Sequence, residues 1–108
     1  MALFEHVFML KQDLSSNDLS SAIKNHEKMI NDLEGNILYK ESWGLRNLSY
    51  SIKNNKKAFY EYMNIEISND KLKEMNSKLN LDENIIRYLS IKVKNFKGTP
   101  TPMLKEDK

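Results

Sequence analysis

What most restricts the fold of this chain is the way apolar residues switch between a period of two and a period near 3.6. Leu3 to Leu10 alternates, which places Phe4, His6, Phe8 and Leu10 on one face of a strand. Leu19, Ala22, Ile23, His26, Ile30 and Leu33 then fall on one helical stripe. Ser15 with Asp18 forms a short capping pair before that stripe, and Gly35 follows it as the residue suited to the left-handed stop, which predicts a helix over 16–34. Ile37 to about Ile52 is extended again, with Trp43-Gly44-Leu45-Arg46 resembling a strand end and Gly44 marking a bulge or bend. Asn54-Asn55 reads as a turn. The strand expected over 57–67 puts Phe59, Met63, Ile65 and Ile67 on one face and Tyr60, Tyr62, Asn64 and Glu66 on the other. Ser68 or Asn69 caps a second helix bearing Leu72, Met75 and Leu79. Asp82-Glu83-Asn84 turns the chain into a last strand over 85–94.

The order β-α-β-β-α-β predicts an α+β fold: a ferredoxin-like sandwich, with a four-stranded antiparallel sheet carrying two helices on one face. With 108 residues the chain is one domain, expected over 1–95, followed by a Lys-, Thr- and Pro-containing tail over 96–108 that is expected to be mobile. A domain of this size buries enough surface for a single two-layer core.

The balance of charge is mildly basic, +2 overall, which permits contact with nucleic acid without demanding it. There is no cysteine, which removes disulfides, thiolate metal sites and cysteine catalysis. No apolar run approaches the roughly 20 residues that span a bilayer. Glu5 and His6 interrupt the first apolar stretch, unlike a secretory leader, so the expected location is cytoplasmic.

In such a sandwich the uncovered sheet face decides function. If Met63, Ile65 and Ile67 face the helices, Tyr60 and Tyr62 face away, as apolar bodies with polar tips suited to an interface. In the last strand Leu89, Ile91 and Val93 form one set and Ile86 and Tyr88 the other, so alternation alone leaves its inward parity open. That strand is expected at a sheet edge, where two apolar faces invite a covering partner. Arg46, Lys53, Lys56, Lys57, Arg87, Lys92, Lys94 and Lys97 are the cations placed to meet phosphates. Trp43, Tyr50 and Tyr60 lie among them and offer stacking surfaces for unpaired bases.

Catalytic patterns are missing. His6 and His26 both fall on apolar faces and read as packed side chains. No glycine-rich phosphate loop opens either helix. An acylphosphatase-like hydrolase would need a Gly-containing loop after the first strand, where this chain has Lys11-Gln12-Asp13-Leu14-Ser15. A regulatory ligand-binding module that dimerises through its sheet is the alternative from another class, although only three glycines are present to build a ligand loop.

Four segments in order carry a resemblance to a known family. They are Phe4-Glu5-His6-Val7-Phe8-Met9-Leu10, Trp43-Gly44-Leu45-Arg46-Asn47-Leu48-Ser49-Tyr50-Ser51-Ile52, Lys56-Lys57-Ala58-Phe59-Tyr60 and Asn84-Ile85-Ile86-Arg87-Tyr88. Together they resemble the bacterial small-subunit ribosomal protein S-six family, the sixth protein of the 30S subunit. Its most specific segment usually reads Trp/Leu-Gly-x-Arg-x-Leu-Ala-Tyr-Pro-Ile. The resemblance implies a ferredoxin-like fold, a structural role in the ribosome, no catalysis and no cofactor. It also implies binding to the central domain of 16S rRNA beside the eighteenth small-subunit protein, as a heterodimer. Carried over by position, Arg46, Tyr50, Lys53, Lys56, Arg87 and Lys92 are the expected RNA contacts, and Trp43, Tyr60, Tyr62 and Tyr88 the expected protein contacts. The chain departs from the family pattern at Ala2 and Leu3, where arginine is frequent, at Asn47, where a second arginine is common, and at Ser51, where proline is usual.

Overall fold

The computed structural model describes residues 2–94; the tail expected at 96–108, with Lys97, lies outside them. The elements are β1 (Ala2–Lys11), α1 (Ser16–Asp32), β2 (Asn36–Ile52), β3 (Asn55–Ile67), α2 (Asn69–Asn80) and β4 (Ile85–Val93). They form one four-stranded sheet in the order β2-β3-β1-β4, with every neighbouring pair antiparallel. The ferredoxin-like α+β arrangement read from the sequence is thus the observed one.

The register follows from the alternation. Phe4, His6, Phe8 and Leu10 stand opposite Ile65, Met63, Glu61 and Phe59. This is the helix-covered face, and Phe4, Phe8, Leu10, Met63, Ile65 and Ile67 form the core with Ile30 and Leu33 at α1, Met75 and Leu79 of α2, and Ile85. Each such side chain contributes roughly 1.5–3 kcal/mol by leaving water. The other face, built from Glu5, Val7 and Met9 of β1 and Tyr60, Tyr62 and Asn64 of β3, has no helix over it.

Local chemistry sets the boundaries. Ser15 Oγ accepts from the Asp18 amide at 3.1 Å and Ser68 Oγ from the Lys71 amide at 3.3 Å, so each helix starts on the expected serine. The end of α1 differs from expectation. The left-handed residue is Glu34, with φ 63°, not Gly35. Gly35 is needed for a different reason: a Cβ there would lie 2.9 Å from Ile30 Cγ2 and 3.1 Å from the Ile30 carbonyl oxygen. Helix end and strand start approach too closely for any side chain.

The segment at Trp43–Arg46 is not a strand end. Gly44, with φ 79°, sits at a register shift inside a 17-residue strand. The β2–β3 turn is tighter than expected, since Lys53 and Asn54 both take positive φ and Ile52 pairs with Asn55. That is the signature of a two-residue hairpin turn with left-handed central residues. Asn55 fastens it: its Nδ2 donates to the carbonyls of Ile52 and Lys53, and its Oδ1 accepts from the Gln12 amide.

The inward parity of β4 is settled by a bulge. Met9 pairs with Arg87 but Leu10 pairs with Ile85, which leaves Ile86 as an extra residue. Ile85 and Ile86 are both buried. Beyond the bulge, Tyr88 faces the helices opposite Phe8, while Arg87, Leu89 and Ile91 face the open side.

Candidate protein and nucleic-acid interface

The open face divides into an aromatic, acidic centre and a basic end. At the centre, the bulge at Gly44 lays Trp43 over the tyrosines of β3. Its ring centroid lies 5.4 Å from that of Tyr62 and 6.2 Å from that of Tyr60, stacked nearly parallel to the former at 13°. Glu41 holds the indole by accepting from Trp43 Nε1 at 2.8 Å, and its other oxygen accepts from the Tyr39 hydroxyl at 2.6 Å. Tyr62 donates to Glu5 Oε2 at 2.8 Å. Burial, and then the bond to Glu5, push the Tyr62 phenol above its ordinary range, so it stays a donor. The hydrogen bond to Glu41 likewise raises the phenol of Tyr39.

Beside this centre the β1–β4 side is apolar and open. Leu89 and Ile91 are 56% and 52% exposed, next to the half-buried Val7 and Met9. Isolated exposed leucines are ordinary, but neighbouring ones on an uncovered sheet face form a contiguous apolar patch.

The basic end assembles residues far apart in sequence. Arg46 stands opposite Ala58, which stands opposite Lys11, and Arg87 stands opposite Met9. Both arginines therefore lie at the same end of the sheet, on its two outer strands. Arg46 Nε donates to the Trp43 carbonyl at 3.1 Å, which ties the basic end to the aromatic centre. Arg46, Lys57 and Tyr60 line one cleft of about 400 Å³. The hairpin turn brings Lys53 to the start of β4, where it lines a smaller cleft of about 210 Å³ with Arg87 and Tyr88. Lys56 is exposed at the start of β3, and Tyr50 is 67% exposed on the outer part of β2.

Two expected site residues, Tyr88 and Lys92, sit elsewhere than the sequence suggests, and a third, Tyr62, keeps its face but is covered. Tyr88 is not on the open face; its hydroxyl donates to Asn80 Oδ1 at 2.7 Å and it packs against the core, because the bulge at Ile86 sets the parity. Tyr62 is on the open face but only 6% exposed, since Trp43 and Glu5 already cover it. Lys92 lies opposite Phe4, on the helix side and at the far end from Arg46 and Arg87, lining a cleft with the start of α2. Conversely, sequence reasoning misses Glu5, Tyr39, Glu41 and Asn64 as site residues. A signal for them exists: each follows the outward parity of Tyr60 and Tyr62 once the strands are paired.

The histidines belong to the core. His6 Nε2 and His26 Nε2 lie 3.0 Å apart, within hydrogen-bond distance, and His6 Nδ1 lies 2.7 Å from Ser90 Oγ. The His26 ring stacks on Phe8 with centroids 3.9 Å apart. Burial lowers His6 to about 4, and burial together with the neighbouring His6 lowers His26 to about 3, so both rings are neutral at pH 7. Among the described residues no group of three or more His, Asp or Glu is placed to hold a metal ion, and no helix is long and apolar enough to cross a membrane.

The fold defines a class: a ferredoxin-like α+β protein with one sheet face left uncovered by its helices. A family model described as Ribosomal protein S6 matches residues 3–92. The Small ribosomal subunit protein bS6 of Rickettsia prowazekii is 43% identical over 105 residues, which cover 97% of this chain and 87% of that protein. The protein of the same name from Rickettsia canadensis is 42% identical over the same coverage. In three dimensions the chain is similar to the 30S ribosomal protein S6 of Thermotoga maritima, with a TM-score of 0.81 over 85% of this chain and 87% of that one. At 19% identity that likeness speaks to the fold. The chain belongs to the ribosomal protein S6 family. Membership makes it a small-subunit protein, located with the ribosome in the cytoplasm.

Proposed function

We propose that this protein is a non-catalytic component of the small subunit that binds the central domain of 16S rRNA together with the eighteenth small-subunit protein. The observation that carries the reading is the division of one sheet end and face into two kinds of surface. Arg46, Lys53 and Arg87 gather at one end, while Leu89 and Ile91 stand exposed on the adjoining face. Cations neutralise phosphates and release counterions, which gives affinity without sequence choice. Apolar side chains gain nothing from phosphates and favour a protein partner. Sharing both surfaces makes RNA binding cooperative, because neither protein alone presents the composite site.

Binding to a 16S central-domain RNA fragment, with and without the eighteenth protein, over a salt series tests the reading. Tight, salt-sensitive binding only when both proteins are present is expected. No binding in either case, with a stable homodimer instead, would overturn it in favour of a dimerising regulatory module. Within a positive result, Arg46→Ala with Arg87→Ala should weaken binding across sequences and lower the salt slope by about 2, one for each phosphate no longer neutralised.

A further inference from the structure

We propose that Glu5, Asn64 and the Trp43–Tyr62 pair form a socket for a guanidinium group, filled by an arginine of the protein partner. The inference rests on the protein-partner reading above and adds the chemistry of the anchor. Glu5, Asn64 and Tyr39 stand opposite one another on three adjacent strands, and Val7, Tyr62 and Glu41 form the next row. Glu5 and Glu41 therefore lie on either side of Tyr62, on the two strands that flank β3. Glu41 positions the indole and adds negative charge, and Glu5 takes the Tyr62 hydroxyl on one of its oxygens.

An independent observation points the same way. Asn64 is 4% exposed, yet its Oδ1 has no hydrogen-bond partner. Buried acceptors are normally satisfied, and one left open beside a carboxylate calls for a donor from outside. Glu5 and Asn64 Oδ1 are acceptors here, and the ring of Tyr62, with Trp43 stacked on it, lies beside them. A planar cation with five N–H donors that also stacks on aromatic rings matches this set better than an ammonium, which is a compact point charge. The Glu5 carboxylate repels a phosphate backbone, so the patch favours a basic protein segment over RNA.

Trp43 is the only tryptophan and sits in the socket, so its emission reports on occupancy. The full chain would be titrated with the purified eighteenth small-subunit protein by calorimetry and by Trp43 emission, at low and physiological salt. Binding that shifts Trp43 emission is expected. Glu5→Gln should weaken that binding on the order of tenfold and flatten its salt dependence. Asn64→Leu removes the open acceptor without shrinking the side chain; it should keep or raise the thermal midpoint and still weaken binding, which a purely structural role would not do. A partner that binds the wild type tightly but leaves Trp43 emission unchanged, with both variants binding as the wild type does, overturns the socket. No binding by the wild type overturns the partner reading itself, and the socket with it.

Discussion

On the helix side of the sheet the chain supplies its own cover. Phe8, Leu10, Ile65 and Ile67 have no measurable exposure, and the polar members His6 and His26 stack within hydrogen-bond distance of each other, although His26 Nδ1 has no partner. On the other side, alternate residues of the same strands do only part of that work. Trp43 and Glu5 bury Tyr62, but Leu89 and Ile91 remain more than half exposed, and Asn64 keeps an unused acceptor. The difference teaches that one face is largely closed within the chain, while the other keeps large apolar side chains exposed to whatever meets it. A residue on the first should matter to stability, and a residue on the second to binding.

The largest effect that would sharpen this contrast comes from Phe8→Ala. Removing a fully buried ring that stacks on both histidines should cost about 3–5 kcal/mol, read from denaturant midpoints. A loss under 1 kcal/mol would mean that the helix side is not the stabilising one.

Acid provides the next effect. The folded histidines titrate at about 4 and about 3, below their ordinary 6.5, so the unfolded chain binds more protons than the folded one between those limits. Their contribution is fully present above pH 6.5 and is lost progressively as pH falls through that window. Glu61, on the same face opposite Phe8, acts in the opposite sense: burial raises its carboxyl, so the folded state holds that proton more tightly and offsets part of the loss. Unfolding free energies at a series of pH values should slope more steeply in the wild type than in His26→Leu. Equal slopes would show that the pair is not the titrating element.

Gly35→Ala should follow, at about 1–3 kcal/mol, because the new methyl group meets the Ile30 side chain and carbonyl. A neutral result in thermal melts would mean that the α1–β2 connection can yield. The smallest stability effect, within about 0.5 kcal/mol, is expected for Leu89→Ser on the open face. The same variant should lose most of its affinity for the partner protein, and a variant that binds normally would break the comparison.

Much of the helix side was legible because period and burial agree there. Phe4, His6, Phe8 and Leu10 announce both strand and facing, and Ser15 and Ser68 mark helix starts by a chemistry that needs no tertiary context. The open face was legible only as far as parity carries. Tyr60 and Tyr62 point outward as expected, but the cover that Trp43 lays on Tyr62 depends on the bulge at Gly44, whose effect on the neighbouring strand has no sequence signature. Tyr88 escaped for a similar reason: Ile85 and Ile86 are equally apolar, and which of them is the extra residue is decided by pairing with β1. Arg46 and Arg87 share one sheet end only because β3 and β1 lie between their strands, a proximity that linear spacing does not encode.

The strand order also has a kinetic consequence. β1 is made first but lies inside the sheet, and its neighbours are β3 and β4: Ala2 pairs with Ile67 and Leu3 with Val93. A chain growing from its N-terminus can therefore close the β2–β3 hairpin early, while β1 waits for partners far downstream. Contacts of such long sequence separation slow folding, because loop closure precedes any reward. Until β4 arrives, β1 presents an unpaired backbone edge and the core lacks Ile85, the kind of intermediate that aggregates. Truncations that end before Ile85 should therefore collect as insoluble material, whereas the same cut made after Val93 should leave a foldable domain.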